Sequence, residues 1–327
     1  MKDLHFIECA VALGRHRSFA RAAESMHISQ PTFSRSIAAL EKNLGVRLFN
    51  RSTRRVEPTP VGHAFLERAE LLLEEAARLY DLVPRDGGTL TGQLNIASGP
   101  YPLVCSVLEA VARLAKAHPQ LNVEVTEGAW RDLPAVLLHG TVDLLVIEAT
   151  IFAGDHRVEV ELLPTHHGCL VCRPGHPLAS LPRVTLADIG PYPLVGITLT
   201  REIGPLTSKT LPKLRVDRLT GDLIPQIVTT SLYATSAILL RTDGIGIYPV
   251  SMMRGATRPA PLIELHADFE LPSTAYGIVW LRGRKQSPAA RAFIETLCEV
   301  EAEAEGDPKD AASAAQHRTR LRGVKRR

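Results

Sequence analysis

The chain has 327 residues, 45% of them hydrophobic and 22% charged, with a formal net charge of +3. That is ordinary globular composition, long enough for two or three domains, and no apolar run approaches the about eighteen residues of a membrane span. Five scattered cysteines (Cys9, Cys105, Cys169, Cys172 and Cys298) argue against a disulfide framework and for a reducing cytoplasm. The N-terminal stretch carries Arg15, Arg17 and Arg21 and lacks an apolar core segment, so it is not expected to be a signal peptide. Charge is unevenly placed. Residues 1–60 hold ten Lys/Arg against five Asp/Glu and residues 301–327 hold seven against five, which leaves a mildly acidic body between them. A basic head suits a polyanionic partner, although a solvated basic face would give the same count.

In chain order, residues 3–13 read as a first helix with Leu4, Ile7 and Val11 at helical spacing. Ser18 is placed to cap a second helix, Phe19 to about Met26. After the turn His27-Ile28-Ser29, Ser29 or Gln30 opens a third helix, with Pro31 in its first turn and Gly45 just past its end. Val46, Leu48, Phe49 and Val56 flank an Arg-rich tip and suggest a two-stranded wing. Thr59-Pro60 opens a fourth helix to about Val83. Its apolar positions Phe65, Ala69, Leu72, Ala76, Leu79 and Val83 follow the spacing of a coiled-coil seam, or equally of a core-facing amphipathic helix.

From Leu90 onward strands and helices alternate, which predicts an α/β fold with parallel layers. The strands are 93–97, 121–126, 144–147, 162–172, 193–197, 246–250 and 275–281. The helices are about 101–117, 131–139, 222–231, 233–241 and 288–300. Residues 301–327 show no apolar face and read as a disordered basic tail.

On a wheel of about 100° per residue, Phe33, Ile37, Leu40 and Leu44 share one face of the third helix and are the expected core. The opposite face carries Pro31, Ser34, Arg35, Ala38 and Lys42, small, polar and basic, as a helix lying in a DNA major groove requires. Arg35 can pair bidentately with guanine, Gln30 with adenine, and Ser34 with a base or a phosphate. Arg51, Arg54 and Arg55 at the wing suit phosphates or an adjacent minor groove. A small three-helix protein-interaction domain is the plainer alternative.

The segment SFARAAESMHISQPTFSRSIAALEKNLGVRLFNR, Ser18 to Arg51, resembles the N-terminal signature of LysR-type transcriptional regulators. The ordered run Ser-Phe, Ala-Ala, Ser-Gln-Pro, Ser-Arg, Leu-Glu, Leu-Gly and Leu-Phe-x-Arg carries it. Thr59-x-x-Gly62, Leu138-x-Gly140-x-x-Asp143 and Gly244-x-Gly246 extend it, more weakly, to about residue 300. The resemblance implies a winged helix-turn-helix at 1–58 (the helix-turn-helix itself about 18–37) and a dimerising linker helix at 59–87. It also implies a two-lobed regulatory domain at 90–300, like a periplasmic binding protein, with chain crossings near 160 and 266. Lobe one would hold 91–160 and 267–300, and lobe two 161–266. It implies double-stranded DNA with a roughly palindromic operator as partner, a small-molecule effector, and a dimer or tetramer of the chain. The DNA-contacting set is then Ser29, Gln30, Pro31, Thr32, Ser34, Arg35, Arg51 and Arg54.

Ser98-Gly99-Pro100 ends a strand and opens a helix, where backbone N–H groups and the Ser98 hydroxyl can hold an anion. The resemblance implies effector contacts from Ser98 and Gly99, from Trp130 in the loop after the second strand of the body, and from Thr198, Thr200 and Arg201. Glu148 departs from the family, several members of which have a neutral or basic residue facing the cleft here. An inward carboxylate favours an effector with a donor or positive group over a dianionic aromatic acid. His166, His167, Cys169, Cys172 and His176 invite a metal reading, but Cys169 and Cys172 point to opposite faces of an extended strand. No metal, cofactor or catalytic motif is expected. The function expected is a ligand-responsive transcriptional regulator. The alternative is a solute-binding or enzymatic α/β protein with an incidental N-terminal domain.

Overall fold

Two serines set the frame of the N-terminal helices: Ser18 accepts a hydrogen bond from the Arg21 N–H and Ser29 from the Thr32 N–H, each closing the first turn of a helix. The structure, a computed structural model, describes residues 2–51, 56–81, 89–199, 206–211, 213–254, 261–271 and 273–304. It divides into two units, Met1–Asp86 and Gly87–Arg327.

In the first unit, α1 (Lys2–His16), α2 (Phe19–Ser25) and α3 (Gln30–Leu44) surround a core of Cys9, Ala10, Leu13, Ala22, Phe33, Ile37 and Leu40. Arg17 and His27 take positive φ, 50° and 54°, in the turns that flank α2. Gly45 ends α3 at φ 70°, a left-handed conformation that costs glycine little. The buried face of α1 centres on Cys9, Ala10 and Leu13 with Phe6 packed against it; of the expected Leu4–Ile7–Val11 stripe, Val11 is buried and Leu4 and Ile7 are half-buried. Leu44, expected in the core, is exposed because the helix closes on Gly45 just beyond it, whereas Ser36 is buried.

The wing is an antiparallel pair, β1 (Phe49–Arg51) and β2 (Val56–Pro58), with Phe49 opposite Pro58. The Glu41 carboxylate anchors it by accepting the N–H groups of Leu48 (2.8 Å) and Phe49 (3.1 Å). Thr59 then caps α4 (Pro60–Asp81): its hydroxyl donates to Arg47 O and accepts from the Gly62 N–H, both at 2.9 Å. A Cβ at Gly62 would lie 2.0 Å from Leu48 O, so only glycine fits this crossing. Along α4, Phe65 and Leu66 join the first unit's core, Ala69 is buried, and Leu72 is 49% exposed. Val83 lies outside the described residues.

The second unit contains β3 (Gly92–Ser98), α5 (Pro100–Pro102), a π-helical turn Leu103–Val107, α6 (Leu108–Ala117), β4 (Leu121–Glu127), α7 (Leu133–Leu138) and β5 (Leu144–Glu148). The long strand β6 (Val158–Cys172) follows, then α8 (Leu186–Ile189), β7 (Val195–Gly196), β8 (Arg215–Val216), β9 (Leu223–Ile224) and β10 (Ile227–Val228). The unit continues with α9 (Leu232–Leu239), β11 (Gly246–Pro249), α10 (Val250–Arg254), β12 (Ile263–Leu265), β13 (Ser273–Leu281) and α11 (Pro288–Ala304).

A single strand builds the two lobes. From Val158 to His167, β6 pairs with β13, in the order β6-β13-β5-β3-β4. From Gly168 to Cys172 the same strand pairs with β11 and β12. Side chains alternate along it, so Leu170 and Cys172 enter one core of lobe two while Cys169 and Val171 enter the other. Lobe one is likewise cored on both sheet faces, with Leu144 and Val146 on one side and Leu145 and Ile147 on the other.

Several expectations change. The first crossing falls at His167–Gly168, later than residue 160, because the strand passes between lobes without breaking. Its start moves from 162 to Val158, whereas the second crossing, expected near 266, does lie between β12 and β13. Residues 222–231 are not helical: Pro225 interrupts them, and they form β9 and β10. Helix α11 continues through Ala304 with Glu301 only 1% exposed, so 301–304 belong to the fold and not to a tail. Residues 305–327 lie outside the described residues.

Candidate DNA-reading helix and ligand cleft

Helix α3 presents the candidate reading face. Gln30, Pro31, Arg35, Ala38 and Lys42 are exposed and Ser34 is half-buried, while Phe33, Ile37 and Leu40 fix the opposite face in the core. Ser29 Oγ and Thr32 Oγ1 lie 2.9 Å apart at the first turn. The Arg35 guanidinium donates to Thr32 Oγ1 and Pro31 O over long 3.4 Å bonds, which weakly park an exposed side chain at the helix start. Arg51 is in β1, though its side chain is not described, and Arg54 lies outside the described residues. Glu41, which ties α3 to the wing, was not singled out from the sequence; its place in the Leu-Glu pair of the signature was the available signal.

The second unit has a cleft between its lobes. Gly99, Pro100, Tyr101, Pro102, Trp130, Ile147 and Glu148 line it from lobe one, Thr274 and Tyr276 from β13, and Ile197, Thr198 and Leu199 from lobe two. The structure thus brings together Gly99, Trp130 and Thr198 from three distant segments. Thr200 and Arg201 lie outside the described residues.

Ser98 is fully buried, and its hydroxyl donates to Gly99 O at 3.1 Å instead of lining the cleft. The turn is also a poorer anion site than its position suggests. Pro100 and Pro102 have no N–H, and those of Gly99 and Leu103 donate to Val146 O and Gly99 O.

Aromatic groups shape the cleft. Tyr101 Oη donates to Ile247 O (2.6 Å), and Trp130 Nε1 donates to Thr198 O (3.2 Å), so both bonds cross from lobe one to lobe two. Burial, above all, holds the Tyr101 and Tyr276 phenols well above the ordinary tyrosine range, so both remain protonated. Glu148 lines the wall and accepts a hydrogen bond from Thr150 Oγ1 at 2.6 Å. The accessible space is about 70 Å³, well short of the ~300 Å³ of a typical ligand site, and the two lobes meet across it through the Tyr101 and Trp130 bonds.

Behind Tyr276 lies a buried polar chain. The His166 ring is 5.0 Å from the Tyr276 ring. His166 Nε2 meets Glu301 Oε2 and Nδ1 meets Ser251 Oγ, both at 2.9 Å, and Ser251 Oγ donates to Cys105 Sγ at 3.4 Å. Burial disfavours the imidazolium, but its hydrogen bonds to Cys105 and Glu301 and the Glu301 charge outweigh that and push His166 up to about 10. Both ring nitrogens then donate. Of the other residues considered for a metal, Cys169 and Cys172 lie on opposite faces of β6, and His176 stacks on Tyr192 at 4.6 Å.

A helix-turn-helix unit with an exposed basic reading face, joined in one chain to a two-lobed unit with a cleft between its lobes, defines a ligand-responsive DNA-binding regulator. Residues 4–63 match the model of bacterial regulatory helix-turn-helix proteins of the lysR family, and residues 87–302 match the LysR substrate binding domain. The chain belongs to the LysR family of transcriptional regulators. It is 33% identical over 310 residues to the SDS degradation transcriptional activation protein of Pseudomonas sp. (strain ATCC 19151), covering 92% of this chain and 97% of that protein. It is 28% identical to the HTH-type transcriptional regulator GbpR of Azospirillum brasilense, covering 90% of this chain and 85% of that one. Its fold matches full-length CbnR complexed with its target DNA, with a TM-score of 0.62 at 22% identity, covering 91% of this chain and 99% of that one. Among the described residues no helix is long and apolar enough to cross a membrane.

Proposed function

We propose that this regulator reads a roughly palindromic operator in double-stranded DNA through Gln30, Ser34 and Arg35. Ser29, Pro31 and Thr32 fit the phosphate edge of the same helix, and Arg51 and Arg54 of the wing take backbone phosphates. The exposed reading face of α3, held by a core on its other side, carries this reading. Residues 1–58 are the DNA-binding domain and residues 59–87 the linker, whose exposed Leu72 suits pairing with a second copy. Two dimers then make the tetramer.

Residues 90 to about 304 sense a small molecule in the cleft between the lobes, through Gly99, Trp130 and Thr198, with Thr200 and Arg201 from the adjoining segment. The aromatic walls suit a ligand with a flat apolar face, and the Tyr101, Tyr276 and Thr198 hydroxyls suit one with hydrogen-bonding groups. The protein acts in the cytoplasm as a binding protein, not an enzyme.

DNase footprinting of the full chain on the region upstream of its own gene tests the first part. Two protected half-sites about one helical turn apart, or a multiple of it, are expected. A thermal-shift screen of small metabolites tests the second, since a ligand at a hundred times its Kd adds about 2.7 kcal/mol of stability.

A further inference from the structure

The mouth of the cleft carries an ion pair between the lobes. Arg131 follows Trp130 in the lobe-one loop after β4. Its guanidinium meets the Asp222 carboxylate and the Thr220 hydroxyl, both in the lobe-two turn that joins β8 to β9. The Arg131 guanidinium also sits 4.5 Å over the Trp130 ring, whose Nε1 donates to Thr198 O.

The turn that receives Arg131 is braced by its own hydrogen bonds. Asp217 accepts the N–H groups of Leu219 (2.8 Å) and Thr220 (3.0 Å), and Gly221 takes φ 76°. The turn is joined to the cleft wall by paired backbone bonds between Leu199 and Leu223. A pull on Asp222 is therefore a pull on the segment that lines the ligand site.

The two partners are unequally covered. The Arg131 side chain is 40% exposed, while that of Asp222 is 4% exposed. The carboxylate and the guanidinium face one another as opposite charges. Without Arg131 the largely covered Asp222 carboxylate would have no cation beside it, so the pair favours the closed arrangement.

We propose that Arg131 and Asp222 form a clasp that holds the lobes closed over the cleft, and that ligand access requires its release. Arg131 is here a positioning residue acting through Trp130 and the 217–222 turn. The clasp rests on the cleft being the effector site, but its test does not need the effector.

The chain has two tryptophans, Trp130 and Trp280, so W280F leaves Trp130 as the sole tryptophan, read by excitation that tyrosine does not absorb. Acrylamide quenching of the full-length W280F protein then reads how closed the cleft mouth is. D222N in this background leaves the Arg131–Trp130 stack in place and removes the opposing charge. Its quenching constant should rise about twofold or more, because loss of an ionic partner from a covered pair shifts the open–closed ratio strongly. The thermal transition checks folding. If D222N does not fold, T220V, which removes one Arg131 hydrogen bond, decides by a smaller rise in the same direction. Unchanged quenching in a folded D222N, or in T220V where D222N does not fold, overturns the clasp. A merely local role for Asp222 would lower the melting temperature and leave Trp130, on the other lobe, as shielded as before. Failure of the metabolite screen with a positive quenching result would remove the effector reading and leave the clasp standing.

Discussion

Glu301→Gln is the most informative single substitution for the regulatory unit. Glu301 is 1% exposed, and its Oε2 is 2.9 Å from His166 Nε2. Removing one member of a buried charge pair costs about 3–5 kcal/mol, because the remaining charge is left uncompensated. The rise of His166 from 6.5 to about 10 sets a ceiling of similar size, ~5 kcal/mol at ~1.4 kcal/mol per pH unit. For a unit of this length each kcal/mol is worth roughly 2–4 °C, so the variant should melt on the order of 10 °C lower.

The pH dependence is a second signature. The folded protein holds a proton on His166 that the unfolded chain releases above its own pKa of 6.5. This contribution is therefore fully present below pH 6.5 and is lost as pH rises through about 10. Between pH 7 and 9 the parent should lose roughly 2 kcal/mol from this group, and Glu301→Gln should lose much less. Cys172 and Cys298, held up to about 11 by burial, add their own loss only above their ordinary value of 9.0. Calorimetry of the full chain at pH 7, 8 and 9 makes the comparison. A variant that melts within about 1 °C of the parent, or keeps the parent's pH slope, would refute the buried charge pair.

Arg35→Ala should cost about 1–3 kcal/mol on the specific operator and relax base preference there, as read by competition gel shifts; equal loss on random DNA would place Arg35 on a phosphate instead. Leu72→Asp should raise the dimer dissociation constant about tenfold or more, visible as reduced mass in light scattering, because it places a charge in a desolvated helix pair. An unchanged mass would mean that α4 pairs elsewhere. Gly62→Ala forces a methyl against Leu48 O and should destabilise the N-terminal unit by about 3 kcal/mol or more, measured by denaturant melts; a neutral result would contradict the close crossing of α4 and the wing.

The DNA-reading unit was largely legible because its signals are local. Ser18, Ser29, Pro31 and Gly45 cap and end helices through their own backbones and side chains, whatever surrounds them. The inner face of α1 was misread because Cys9 and Ala10 are small and carry little weight in an apolar stripe, yet small residues are what close helix crossings need. In the body, the Val158–Glu161 alternation already marked the start of β6, but the turn-rich stretch before it drew the boundary too late.

The cleft was legible only segment by segment. Gly99, Trp130 and Thr198 come together through strand order, while Tyr101 and Tyr276 read as ordinary helix and strand residues. The pairs Arg131–Asp222 and His166–Glu301 join side chains far apart in sequence, and no periodicity or capping rule links such partners. Glu301 was lost for a further reason. The helix before it shows a clear apolar face, and Glu301, Glu303 and Glu305 mimic a solvated tail.

The central claim is sequence-specific DNA recognition by the α3 face. Fluorescence anisotropy of the full chain tests it most directly, with a duplex from the region upstream of its own gene and a scrambled duplex of equal length, titrated between about 50 and 200 mM salt. The upstream duplex should bind about a thousandfold or more tighter than the scrambled one, and both affinities should fall steeply as salt rises. Equal affinity for the two duplexes at every salt concentration, from a folded protein, would contradict it.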